Sequence, residues 1–144
     1  MTIYSAEQIK KWDAFTIENK SISSIDLMEQ AAEECTEYIQ ANYPLEASYS
    51  IYCGPGNNGG DGLAIARIMQ SDYMPVTVYL LSSKIGSREY EINLKKFKKM
   101  GGKIIYLKED SVLEREDDDI IIDAIFGIGL NKPAEGLYRR VIEF

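Results

Sequence analysis

The sequence predicts an α/β fold: a Rossmann-like three-layer α/β/α sandwich with a mainly parallel sheet. Three observations carry that prediction. Short strand patterns alternate with helical ones along most of the chain, a glycine-rich segment at residues 54–62 separates the first strand pattern from a helix, and residues 120–126 are almost continuously apolar. An unbroken apolar run suits a strand covered on both faces of a parallel sheet. Strands joined through helices imply right-handed crossovers and a local strand order 3-2-1-4, which makes strands 1 and 4 neighbours.

Each element has a local reason. Ser5 followed three residues later by Gln8 is a capping-box start, and Ile9, Trp12 and Phe15 then recur at helical spacing to about Asn19. A second helix follows Ser23 and Ser24, carries Met28, Ala31, Ala32, Cys35 and Ile39 as its apolar stripe, and ends at Asn42-Tyr43-Pro44. Cys35 is therefore expected in the core, and both helices are expected to pack against the sheet. Residues 49–53 read as strand 1, which breaks at Gly54, and the helix bearing Leu63, Ala64, Ile68 and Met69 is expected to begin just after the glycines.

Strand 2, residues 76–81, follows Pro75. The next helix starts near Arg88, presents Tyr90, Leu94 and Phe97 on one face, and stops at Gly101-Gly102; residues 103–107 are strand 3. Seven acids and one base between Glu109 and Asp119 mark a solvated connection. Residues 120–126 form strand 4, which ends at Gly127-Ile128-Gly129.

Composition narrows the function classes. A chain of 144 residues fits one domain able to bury a core without staples. The 16 basic and 23 acidic residues give a net charge of -7, which disfavours nucleic acid and anionic membranes as partners. Lys95, Lys96, Lys98 and Lys99 sit where they complement the dipole of a helix end. Cys35 and Cys53 form no disulfide framework or CxxC pair, and the sequence shows no export-signal pattern or membrane-spanning run, so a cytoplasmic location is expected. Histidine is absent, so any chemistry must use carboxylates, amides, hydroxyls, lysines or the backbone.

Two loops carry chemistry. Gly54, Gly56 and Gly59 have GxGxxG spacing after a strand, yet strand 2 ends Leu80-Leu81-Ser82-Ser83 without the acid that ordinarily holds a dinucleotide ribose. Asn57, Asn58 and Asp61 add more polar groups than a structural turn needs. In the second loop, Asp123 interrupts an apolar strand and needs either a cation or the N–H groups of its own loop. The following Gly127 to Pro133 can bring N–H donors and a lysine to an anionic ligand.

At these loops the sequence resembles the YjeF N-terminal family, whose members include NAD(P)H-hydrate epimerases, alone or fused to a dehydratase. The matching residues are Gly54-Pro55-Gly56-Asn57-Asn58-Gly59-Gly60-Asp61-Gly62 and Asp123-Ala124-Ile125-Phe126-Gly127-Ile128-Gly129-Leu130. Leu27-Met28-Glu29-Gln30-Ala31 also resembles the family's helix motif, with Gln30 and Ala32 where asparagine and glycine are usual, so the resemblance spans essentially the whole chain.

The resemblance implies that Asn57, Asn58, Gly59, Gly60 and Asp61, with Gly127, Ile128, Gly129, Leu130, Asn131, Lys132 and Pro133, contact the hydrated cofactor NAD(P)HX. It also implies that Asn58 and Asp123 help bind a potassium ion. The implied activity is an isomerase step of nicotinamide cofactor repair, interconverting the R and S epimers at the hydrated ring carbon. Asp61, the single acid of the first loop, is the candidate catalytic group for proton transfer or hydroxyl binding.

Expected partners are the nucleotide substrate, a fused or separate NAD(P)HX dehydratase, and a second copy of the chain. Family members continue into another strand bearing an aspartate and a Pro-Ser-Gly-like turn, so the 1–144 domain is expected to be C-terminally truncated, with an incomplete active site. A non-catalytic nucleotide-binding or assembly module is the main alternative, opposed by the polar residues at 57–61. A phosphotransferase is disfavoured because no GxxxxGK followed by Ser or Thr occurs.

Overall fold

A computed structural model of the chain describes residues 4–81, 85–114, 120–128, 130 and 133–144. Its helices and strands alternate after two N-terminal helices, α1 (Ala6–Lys20) and α2 (Ser24–Asn42). There follow β1 (Tyr49–Cys53), α3 (Asn57–Ser71), β2 (Val76–Leu80), α4 (Arg88–Lys99), β3 (Lys103–Tyr106), β4 (Ile120–Ala124) and α5 (Gly136–Glu143). All strand pairings are parallel and the order is β3-β2-β1-β4, as the alternation predicts.

Side-chain alternation sorts the sheet into two faces. Tyr49, Ile51 and Cys53 pair in register with Val76, Val78 and Leu80 on one side and with Ile120, Ile122 and Ala124 on the other. This face packs against α3, with α2 and α4 flanking that helix, and it carries the larger core. On the opposite face Tyr52 and Tyr79 stack at 4.6 Å, and α5 covers that region with Leu137 and Val141. Three layers result, with the second helical layer represented among the described residues by α5.

Local signals explain where the elements begin and end. Ser5 and Ser23 head complete capping boxes, and the Ser87 hydroxyl accepts the Tyr90 N–H at the start of α4. Gly101, at φ +75°, ends α4 in a Schellman turn: Gly102 N–H reaches Phe97 O at 3.1 Å and Gly101 N–H reaches Lys98 O at 3.0 Å. The start of α5 borrows its cap, because Glu109 Oε1 accepts the Leu137 N–H at 2.9 Å. That distant contact hid α5 from pattern reading, and the helix is an addition to the sequence expectation.

Four expectations need correction. Helix α3 begins at Asn57, within the glycine segment rather than after it. The packing accounts for this: a Cβ on Gly59 would collide with Gly54 O, and one on Gly62 would collide with the Ala124 side chain. The glycines thus let the first turns of α3 lie directly against β1 and β4.

Cys35 is exposed. The buried line on α2 is Met28, Ala32 and Thr36, leaving Cys35 at its margin, and the Thr36 hydroxyl donates to Ala32 O at 2.8 Å. Burying that polar residue therefore costs little. Helix α1 does not join the core: it has no buried residue, and Trp12 and Phe15 are 54% and 62% exposed.

Strand β4 is not covered on both faces. Ile121 and Asp123 are exposed because α5 reaches the sheet near Tyr52 and Ile125 and leaves this flank open. No strand among the described residues pairs with the free edge of β4.

Candidate functional site

The order β2-β1-β4 puts the segments after β1 and β4 side by side at the carboxyl ends of their strands. Their backbones touch closely enough that a Cβ on Gly54 would strike Ile125 O, and the Asn58 side chain lies against Gly127. A cleft of about 740 Å³ opens there. Pro55, Gly56, Asn57, Asn58 and Asp61 form one wall, while Ile125, Phe126, Gly127, Ile128 and Leu130 form a second. Ile9, Lys10 and Asp13 of α1 and Tyr138 of α5 complete the lining.

Asp61 is the chemically distinctive group of this cleft. It lies five residues into α3, beyond the first turn where the helix dipole would strongly favour its charge. Burial disfavours the carboxylate and the nearby Asp13 charge adds to that effect, raising its pKa from 3.8 to about 6. Among the described residues, Asp61 has neither a hydrogen bond nor an ion pair to offset the desolvation. A carboxyl poised near neutrality can donate and recover a proton.

Asn58 and Asp61 also border a second cleft of about 590 Å³, formed by α2, α3 and β4. Asp123 lines it, so the two residues expected to bind potassium share a cavity. The reason for expecting a cation at Asp123 nevertheless changes. Its side chain is exposed rather than buried, pairs in register with Tyr52, and accepts the Ile125 N–H through Oδ1 at 2.9 Å. The carboxylate thus uses its own loop, and its placement does not demand a metal.

Asn58 and Asp123 fit the hard-oxygen donor preference of such a cation. They fit it only as part of a ligand set, since no group of three or more His, Cys, Asp or Glu side chains suitable for a metal occurs among the described residues.

The sequence-selected residues separate into groups. Asn57, Asn58, Asp61, Gly127, Ile128 and Leu130 line the larger cleft together. Gly59 and Gly60 are buried, packed against Gly54 and against Met28 and Tyr90 respectively. Pro133 is exposed, while Gly129, Asn131 and Lys132 fall outside the described residues. Sequence reading missed Ile9, Lys10, Asp13 and Tyr138 as cleft residues. Ordinary helical periodicity gives no signal that residues so distant in sequence meet at one cavity.

A parallel α/β domain with a ligand-sized cleft between adjoining strand-end loops defines the class. The chain belongs to the YjeF-related protein N-terminus family, whose family model matches residues 24–144. It is 37% identical over 140 residues to an NAD(P)H-hydrate epimerase of Limosilactobacillus fermentum, covering 96% of this chain and 65% of that protein. It is 36% identical over 151 aligned positions to a bifunctional NAD(P)H-hydrate repair enzyme Nnr of Moorella thermoacetica, covering 99% of this chain and 28% of the relative.

The crystal structure of yeast ynu0 matches the fold with a TM-score of 0.80 and 20% identity, across 99% of this chain and 64% of the yeast chain. The chain therefore spans just under two-thirds of the Limosilactobacillus relative and just over a quarter of the Moorella protein.

Proposed function

We propose that the larger cleft is an NAD(P)H-hydrate epimerase site, interconverting the R and S epimers of NADHX and NADPHX. The supporting observation is Asp61, a desolvated carboxyl with a pKa of about 6 in a cleft bordered by Asn57, Asn58 and the Gly127 loop. Epimerisation requires the carbon–oxygen bond at the hydrated ring carbon to break and re-form on the other face. Protonated Asp61 gives its proton to the departing hydroxyl, which leaves as water while the adjacent ring nitrogen supplies the electron pair. Addition of water to the opposite face then releases a proton, restoring the acid.

Asn57 and Asn58 offer amide donors and acceptors for orienting the carboxamide and ribose. The residues around Ile125 and Ile128 supply an apolar wall that limits water access. In this reading Asn58 and Asp123 help hold a potassium ion, whose positive charge would favour a bound anionic nucleotide. Pro133 and the residues at 129, 131 and 132 extend the proposed cofactor contact.

The test uses one purified epimer and follows formation of the other by NMR. Asp61→Asn is expected to form the other epimer about 100-fold or more slowly than the unaltered chain while retaining ligand binding. Equal turnover by the variant would overturn the catalytic assignment of Asp61. Binding without turnover by the unaltered chain would favour the non-catalytic nucleotide-binding reading.

A further inference from the structure

Helix α1 forms a wall of the larger cleft although none of its residues is buried. Lys10 and Asp13 line that cleft together with the sheet-end loops, and the Asp13 charge acts on Asp61 from outside the core. Lys10 is the sole cation among the described residues of this lining. It makes no ion pair with another described residue, whereas its neighbour Lys11 pairs with Glu7 at 2.8 Å. Among the described residues, the other charged groups on the lining are the carboxyls of Asp13 and Asp61. A dinucleotide entering here would meet two acids in a protein already carrying a net charge of -7, making an available ammonium useful for anion binding.

We propose that α1 is a ligand-binding wall of the cleft and that Lys10 contacts a phosphate of the bound dinucleotide. This assignment rests on the nucleotide reading above and extends the site to a helix that the two loop motifs do not include. Lacking a buried face, α1 contributes few packing contacts that would fix it against the sheet, so the ligand contact orders it. The sole tryptophan, Trp12, lies on α1 with its ring 4.3 Å from that of Tyr4 and reports on this ordering.

The test titrates NADP+ by calorimetry and by Trp12 fluorescence into the unaltered chain, Lys10→Gln, Lys10→Glu and Asn57→Ala, with a melting curve for each. Lys10→Gln should weaken binding about tenfold, Lys10→Glu should weaken it further, and added salt should weaken the unaltered chain more than Lys10→Gln. Binding should also change Trp12 fluorescence and slow amide exchange in α1. Normal affinity in both Lys10 variants alongside loss in Asn57→Ala would overturn the Lys10 contact and leave the nucleotide reading standing. Binding with unchanged Trp12 fluorescence and α1 exchange would overturn the ordering of α1. Failure of the unaltered chain to bind NADP+ would overturn both readings.

Discussion

Asp61 shows how position alone alters a common side chain. In a flexible loop it would be an ordinary solvated acid, but in the second turn of α3 it loses water without gaining a described partner, and Asp13 adds like charge. The linkage has a definite sign. The folded carboxyl has a pKa of about 6 and the unfolded one a value near 3.8, so the folded state binds the proton more readily between these values. Stability supplied by this protonation is present below about pH 4 and is lost as pH rises through about 6. Asp61→Asn should therefore raise the melting temperature at pH 8, on the order of 5 °C, and change it little at pH 3. Thermal unfolding across this range tests the assignment, and an equal effect at both pH values would contradict it.

At the scale of elements, the junction between β1 and α3 depends on close backbone approach. Gly59→Ala would drive a Cβ into the carbonyl oxygen of Gly54, a backbone atom unable to swing aside like a side-chain end. A loss of about 3 kcal/mol in urea unfolding is expected. Gly56→Ala is the control at the same junction: its φ is -87° and an added Cβ meets nothing within 4 Å, so stability should change by less than about 1 kcal/mol. Similar losses from both substitutions would show that the glycines matter through flexibility rather than close packing. The tight junction also fixes the direction of Asn57, Asn58 and Asp61, coupling glycine packing to cleft shape.

For the whole molecule, β4 is an edge strand among the described residues and carries apolar side chains. Ile121 is 43% exposed on that strand, and Ile142 and Phe144 of the neighbouring C-terminal segment are also exposed. Available backbone hydrogen-bonding groups beside apolar side chains favour strand addition or self-association. Sedimentation velocity should show concentration-dependent association of this chain, with Ile121→Lys shifting it toward monomer by about tenfold in dissociation constant. Identical association by the two proteins would remove β4 as the contact. No helix among the described residues is long and apolar enough to cross a membrane.

The sequence by itself determined the features set by neighbouring residues: the capping box at Ser5, the Gly101 turn, the four strands and the order that joins the two loop motifs. Asn57, Asn58 and Asp61 were legible as site candidates because polar groups concentrated among glycines exceed what a turn requires. Tertiary structure decided what covers each face. Periodicity marked Cys35 and the Ile9-Trp12-Phe15 stripe as apolar but could not reveal that Thr36 faces the core or that α1 lies beyond it. Likewise, the apolar run containing Asp123 suggested burial, whereas the position of α5 and the open β4 edge leave that acid exposed. Side-chain periodicity specifies direction from the backbone; burial also requires another element to arrive on that side, and that choice is made by non-local packing.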